Sequence, residues 1–149
     1  MALDTATILD SIADRIESLT PATQLSASDR YSARIAPFAG VHVAGRRAVT
    51  VSGEGGIRKP TGGSTCSDWE TTVSILVAYP LTHAANGTER RGAYSDAIQD
   101  SEDILSDLYY WSTTTAGILQ IDPQPATVDD NGDGVIESER SIFIRFKRS

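Results

Sequence analysis

Asp68-Trp-Glu-Thr-Thr-Val-Ser-Ile-Leu-Val-Ala-Tyr79 is the stretch on which the reading of this chain turns. Under the two-residue period of a strand, Trp69, Thr71, Val73, Ile75, Val77 and Tyr79 share one face. Glu70, Thr72, Ser74, Leu76 and Ala78 share the other. β-branched and aromatic side chains dominate the first face, the kind that pack well on a pleated surface. The second face becomes apolar only at its end, which predicts a central strand covered on both sides there. Pro80, which has no N–H for a ladder, ends it.

Helical periodicity appears on either side of that strand. Leu9, Ile12, Ile16 and Leu19 recur at three- and four-residue steps and predict a helix over 4–19, with Asp4 as its N-cap and Thr20-Pro21 as its stop. Asp10, Asp14, Arg15 and Glu17 lie off the apolar stripe. A second helix is expected over 88–111, capped by Thr88. Tyr94, Ala97, Ile98, Ile104, Leu105 and Leu108 would form its buried face, with Ser101 on the same line. Asp96, Asp100, Glu102, Asp103 and Asp107 would make its exposed face acidic.

After Gly117, Ile118–Val128 and Val135–Lys147 read as a long hairpin, with Ile142, Ile144 and Phe146 facing one way and Arg145 and Lys147 the other. Asp129-Asp-Asn-Gly-Asp-Gly134 is its turn-forming tip. Arg46–Ser52 reads as a further strand with Val49 and Val51 on one face. Residues 22–45 are ambiguous, with Tyr31–Ile35 able to join a strand. Residues 53–65 hold Gly53, Gly55, Gly56, Gly62, Gly63 and Pro60 with no apolar period, and read as a long exposed loop carrying Arg58 and Lys59. The expected fold is α+β: one domain over 1–149, an antiparallel or mixed sheet of about four strands, and two helices packed on one face.

Composition narrows the function classes. A net charge of −7 argues against general nucleic-acid binding, which leaves a basic footprint, and favours solubility. Cys66 is the single cysteine, so no intramolecular disulfide and no multi-cysteine zinc site is expected. Nothing beside Cys66 would lower its pKa. The N-terminus lacks the basic region of a signal peptide, and no apolar run approaches the roughly 20 residues that span a bilayer. The sequon Asn86-Gly87-Thr88 is read as a turn.

Three motifs carry potential chemistry. Asp129-x-Asn131-x-Asp133-Gly134-x-Ile136 matches the first half of an EF-hand calcium loop, but its twelfth position is Arg140 where a bidentate glutamate belongs. Its strand-like flanks favour a hairpin tip, so no metal is expected. The glycine-rich stretch fails as a phosphate loop, because Lys59 precedes Pro60 instead of following a glycine and preceding Ser or Thr. His42 and His83, the only histidines, stand alone in their segments. No nucleophile, base and orienting group can be named together, so no catalytic residues, no cofactor and no enzymatic activity are expected. Arg46, Arg47, Arg58 and Lys59 form a basic set, and Asp96, Asp100 and Asp103 an acidic one. Opposite charges on one chain suit head-to-tail contacts between copies, which close into rings.

The order of parts resembles the tail terminator (tail-completion, minor tail protein U-like) family of long-tailed bacteriophages. The resemblance rests on the helix Leu3–Leu19, the strand Trp69–Tyr79, the helix Tyr94–Trp111 and the closing strand Ser141–Lys147. It spans most of the chain and is a pattern of elements without a fingerprint motif. It implies a structural virion protein without catalytic residues, forming a homo-oligomeric ring, hexameric in the family. Such a ring caps the tail tube, ends its polymerisation and receives the head-completion or neck protein. It also implies assembly in the host cytoplasm, residence in the tail and neck of the virion, no membrane, and a lumen that DNA crosses without specific binding. The competing expectations are another neck, tail-tube or baseplate protein, or a calcium-dependent binding module.

Overall fold

Asp4 opens the first helix by accepting a hydrogen bond from the Thr7 amide at 2.8 Å, which satisfies one of the unpaired first-turn donors. Helix α1 then runs Thr5–Ser18. Ile8, Ile12 and Ile16 are completely buried along one stripe, each stabilising by roughly 1.5–3 kcal/mol. Leu19, in extended conformation, ends the helix before Pro21. These features come from a computed structural model that describes residues 3–36, 45–60, 67–82, 87–130 and 134–148.

The strands are β1 (Ser32–Ile35), β2 (Ala48–Gly53), β3 (Ile57–Pro60), β4 (Ser67–Pro80), β5 (Ile118–Pro123), β6 (Thr127–Asp130) and β7 (Val135–Lys147). Helix α2 (Gly87–Thr114) connects β4 to β5. The sheet order is β1-β2-β4-β7-β5, with β3 also paired to β4 and β6 to β7. β7 occupies one side of β4 from Asp68 to Pro80, so β2 and β3 share the other side. β5 and β6 likewise follow one another along the free side of β7. All pairs are antiparallel except β1–β2. The fold is α+β with a mixed sheet, as expected, and has more strands than the four anticipated.

The period-2 reading of the central strand holds. Val73, Ile75, Val77 and Tyr79 are buried in the same core as Ile8, Ile12 and Ile16 of α1 and Ala97, Ile104 and Leu108 of α2. Their β7 partners Ile142 and Ile136 lie in it too, as do Ile144 and Phe146. Both helices therefore cover one sheet face. Leu76 and Ala78 on the opposite face are also buried, as the apolar end of that face predicts.

Other expectations change. Ile57–Pro60, read as part of an exposed loop, is a strand hydrogen-bonded to β4, with Arg58 opposite Trp69 and Lys59 opposite Asp68. Gly53 belongs to β2, and residues 61–66 lie outside the described residues. Thr88 is not an N-cap, because Gly87 before it is already helical. The 22–45 ambiguity resolves into β1 for 32–35, with 37–44 outside the described residues. Gly117 follows α2 with φ +95°, a left-handed conformation that glycine adopts without strain.

The sheet's edges are blunted. The Ala33 amide of β1 donates to the Glu17 carboxylate of α1 at 3.0 Å. β3 ends on Pro60, and β5 carries a register shift between Ile118 and Gln120.

Candidate functional site

The densest polar cluster forms where β2 begins. Gly45, Arg46 and Arg47 make a turn, and Arg47 adopts φ +59°. Consecutive strand residues point to opposite faces, so two neighbouring arginines would normally diverge. The left-handed residue breaks that alternation and lets both converge on Asp29: Arg46 Nε donates to Asp29 Oδ2 at 3.0 Å and Arg47 Nη1 to the same oxygen at 2.6 Å. The Arg47 amide donates to the Ala78 carbonyl at 2.8 Å, fixing the turn on β4. Such a conformation costs about 1–3 kcal/mol for a non-glycine residue and persists only when surrounding bonds enforce it.

Arg47 is completely buried, as is Asp100 of α2. Arg47 Nε donates to Asp100 Oδ2 at 2.7 Å, Tyr79 Oη donates to the same oxygen at 2.6 Å, and Arg47 Nη2 donates to Thr23 Oγ1 at 2.9 Å. Arg46 Nη2 donates to Asp96 Oδ2 at 2.6 Å, and Thr23 Oγ1 to Asp96 Oδ1 at 2.9 Å. Two guanidiniums thus face three carboxylates and tie segment 20–31, β2 and α2 together.

Electrostatics follow from that geometry. Burial pushes the Asp29 carboxyl up, but the Leu25 amide and the two guanidiniums outweigh it and hold its pKa below the usual value. Burial opposes the Arg47 charge, yet bonds to Asp100 and Asp29 raise its pKa further. Burial first, and the Asp100 carboxylate next, push the Tyr79 and Tyr31 hydroxyls well above the ordinary phenol value. These phenols stay protonated and the arginine stays charged at any ordinary pH. The cluster is suited to rigidity, because its bonds tie three segments of the chain to one another.

The structure brings four of the seven expected contact residues together, within one chain. Arg46, Arg47, Asp96 and Asp100 are partners of one another, and the complete burial of Arg47 and Asp100 removes both from any contact with another copy. Asp103 lies apart, accepting from Gln99 Nε2 at 3.1 Å. Arg58 and Lys59 are placed only as backbone in β3. Asp29 and Thr23, not singled out by the sequence, complete the cluster with Tyr79, which the sequence marked only as a strand residue of the core face. Asp100 did carry a signal: Ala93, Ala97, Asp100, Ile104, Leu108 and Trp111 follow three- and four-residue steps, so it sits inside the buried stripe.

Helix α2 has two unlike flanks. Toward α1 and β2 it presents Asp96, Asp100 and Asp107, the last bound by Arg15 at 2.6 Å and 3.0 Å. Trp111 Nε1 donates to Ser11 Oγ at 2.7 Å on this same side. The acidic residues expected to face solvent are therefore largely consumed in holding the helix down. On the other flank Tyr94, Ile98 and Tyr109, at 46%, 39% and 47% exposure, remain in solvent. Tyr94 and Ile98 were expected in the core. They instead line a groove of about 320 Å³ with Ser101, Glu102, Pro125, Ala126, Val128 and Arg140.

Arg140 forms part of that groove. It donates through Nη1 to the Gln124 carbonyl at 2.8 Å and through Nη2 to Ser101 Oγ at 2.9 Å, while its Nε is buried without a partner. No carboxylate pairs with it among the described residues, and burial lowers its pKa. This residue holds the twelfth position of the calcium-like loop, so that position is a cation bound to α2 on a strand. Of the loop's other residues, Asp129 is exposed and pairs with Glu137 across β6–β7, Asp130 makes an ion pair with Arg90, and Asn131 and Asp133 lie outside the described residues. Cys66, His42, His83 and Asn86 lie outside them as well.

No protein-family model and no curated protein matches this sequence.

Proposed function

We propose that this chain is a structural virion protein of the tail terminator kind, forming a ring that caps a phage tail tube, ends its polymerisation and joins it to a head-completion or neck protein. The observation that carries the reading is architectural. A capped N-terminal helix, a long central strand, a second long helix and a closing β-ribbon build one two-helix layer on a mixed sheet. This is the order on which the family resemblance rests. The charged cluster supports the same reading, because its carboxylates, guanidiniums and Tyr79 hydroxyl serve shape. A protein that acts by surface complementarity needs such rigidity and no catalytic group. The ring body is the sheet and helices, its acidic composition repels DNA phosphate in the lumen, and its activity is non-enzymatic.

The test is the solution mass of the purified protein together with negative-stain images, alone and mixed with tail tubes. Closed rings of about six copies that bind tube ends are the expected result. Extension of the protein into tubes of its own would replace the terminator reading with a tube-protein one. A monomer that ignores tube ends would overturn it.

A further inference from the structure

The two ends of the helical layer differ in chemistry. At one end α1 lies against β1 and β2, with Ser11 and Arg15 turned toward α2. Its exposed Asp10 and Asp14 lie one turn apart on the outer surface. At the other end, the outer flank of α2 and the β5–β6 connection form the groove of Tyr94, Ile98, Val128 and Arg140. One end is an acidic ridge. The other is an aromatic and aliphatic groove whose cation, Arg140, shares it with Glu102 but forms no ion pair among the described residues.

An arginine taken partly out of water needs an anion more than a surface arginine does, because the same charge pair interacts more strongly where water is excluded. Arg15, Arg46, Arg47 and Arg90 each have a carboxylate within the chain. Among the described residues Arg140 hydrogen-bonds only to a carbonyl and a hydroxyl, and the Glu102 carboxylate acts on it from the groove without an ion pair. The apolar flank beside it is the half of the expected buried face of α2 that its own core leaves uncovered.

We infer that this groove receives the α1 ridge of a second copy, with Asp10 or Asp14 reaching Arg140 and the α1 surface covering Tyr94 and Ile98. The surfaces differ and lie at opposite ends of the layer, so the contact is heterologous and repeats from copy to copy until a ring closes. The inference rests on the ring reading and adds which surfaces build the ring.

Cross-linking tests the pairing directly. In a Cys66→Ser background, the full chain carries Asp14→Cys, Ile98→Cys, or both. Mixing the single-cysteine proteins under mild oxidation should give a dimer containing one of each, and the double variant a ladder that stops at the closed ring. Separately, Ile98→Asp and the pair Asp10→Lys/Asp14→Lys should each weaken association at least roughly tenfold by sedimentation. Their unfolding midpoints should stay unchanged, since these side chains are exposed. Rings that form without these cross-links, or that tolerate Ile98→Asp, would overturn the inference and leave the ring reading standing. Dimers of the Ile98→Cys protein with itself would overturn the head-to-tail arrangement. A chain that neither associates nor cross-links at any concentration, and ignores tube ends, would overturn both.

Discussion

Arg47 Nε lies 2.7 Å from Asp100 Oδ2, and neither side chain reaches solvent. A buried ion pair adds little net stability over a well-packed apolar pair, because desolvating two charges offsets their attraction. Removing one member is costly, because it strands the other. Here the pair joins the start of β2 to the middle of α2, elements 53 positions apart in the chain. It therefore selects one seating of the helix on the sheet.

Arg47→Met should destabilise the protein by about 3–5 kcal/mol, leaving Asp100 buried with only the Tyr79 hydroxyl as donor. Tyr79→Phe should cost less, about 1–3 kcal/mol, since one donor is lost and the charge stays paired. Urea unfolding of both variants measures the difference. A loss below that of Tyr79→Phe for Arg47→Met would show that the helix seats without the pair.

The Asp29 carboxyl, whose folded pKa lies below its unfolded value, makes stability depend on acid. Its contribution is complete above the unfolded pKa and is lost as pH falls through the folded one. The urea midpoint should fall below about pH 4, and Asp29→Asn should flatten that fall while lowering the plateau at neutral pH. Tyr79 and Tyr31 act at the other extreme. Their raised folded pKa values mean that the unfolded chain ionises first, so stability declines as pH rises past the free phenol value of 10.0.

Gly117 carries φ +95°, and an added Cβ would stand 3.0 Å from Leu3 Cδ2. Gly117→Ala should cost about 1–3 kcal/mol through backbone strain at the α2–β5 junction. The amide of Lys147 donates to the Gly117 carbonyl at 2.7 Å, so hydrogen exchange at Lys147 should quicken with it. Unchanged exchange and stability would place the strain elsewhere.

Calcium should leave the thermal midpoint unchanged at millimolar concentration, because the glutamate of the twelfth loop position is replaced by an arginine tied to Ser101. A calcium-dependent rise in midpoint that Asp129→Ala abolishes would restore the binding-module reading.

Much of this architecture is visible in the sequence where a period repeats. Trp69–Tyr79 and Ile142–Phe146 alternate cleanly because one face is core, and α1 shows a single stripe with a cap and a stop. β3 is hidden because Ile57 is the lone apolar side chain in a segment preceded by two glycines and closed by a proline, and its pairing comes from β4. The polar cluster is hidden for a different reason. Charged side chains on a helix default to solvent, and Asp96 and Asp107 find their arginines 50 and 92 residues away in the chain. The uncovered flank of α2 was masked by the width of its apolar surface, which local spacing cannot divide into a half that meets the sheet and a half that does not.

The blunted sheet edges have a consequence for how the free chain behaves at high concentration. An open strand edge templates any other strand, and a chain with bare edges risks fibrils when it is concentrated. With Glu17 holding the Ala33 amide, a proline closing β3 and a bulge in β5, strand addition is discouraged at the rims. A concentrated preparation of this chain should therefore stay free of edge-to-edge fibrils.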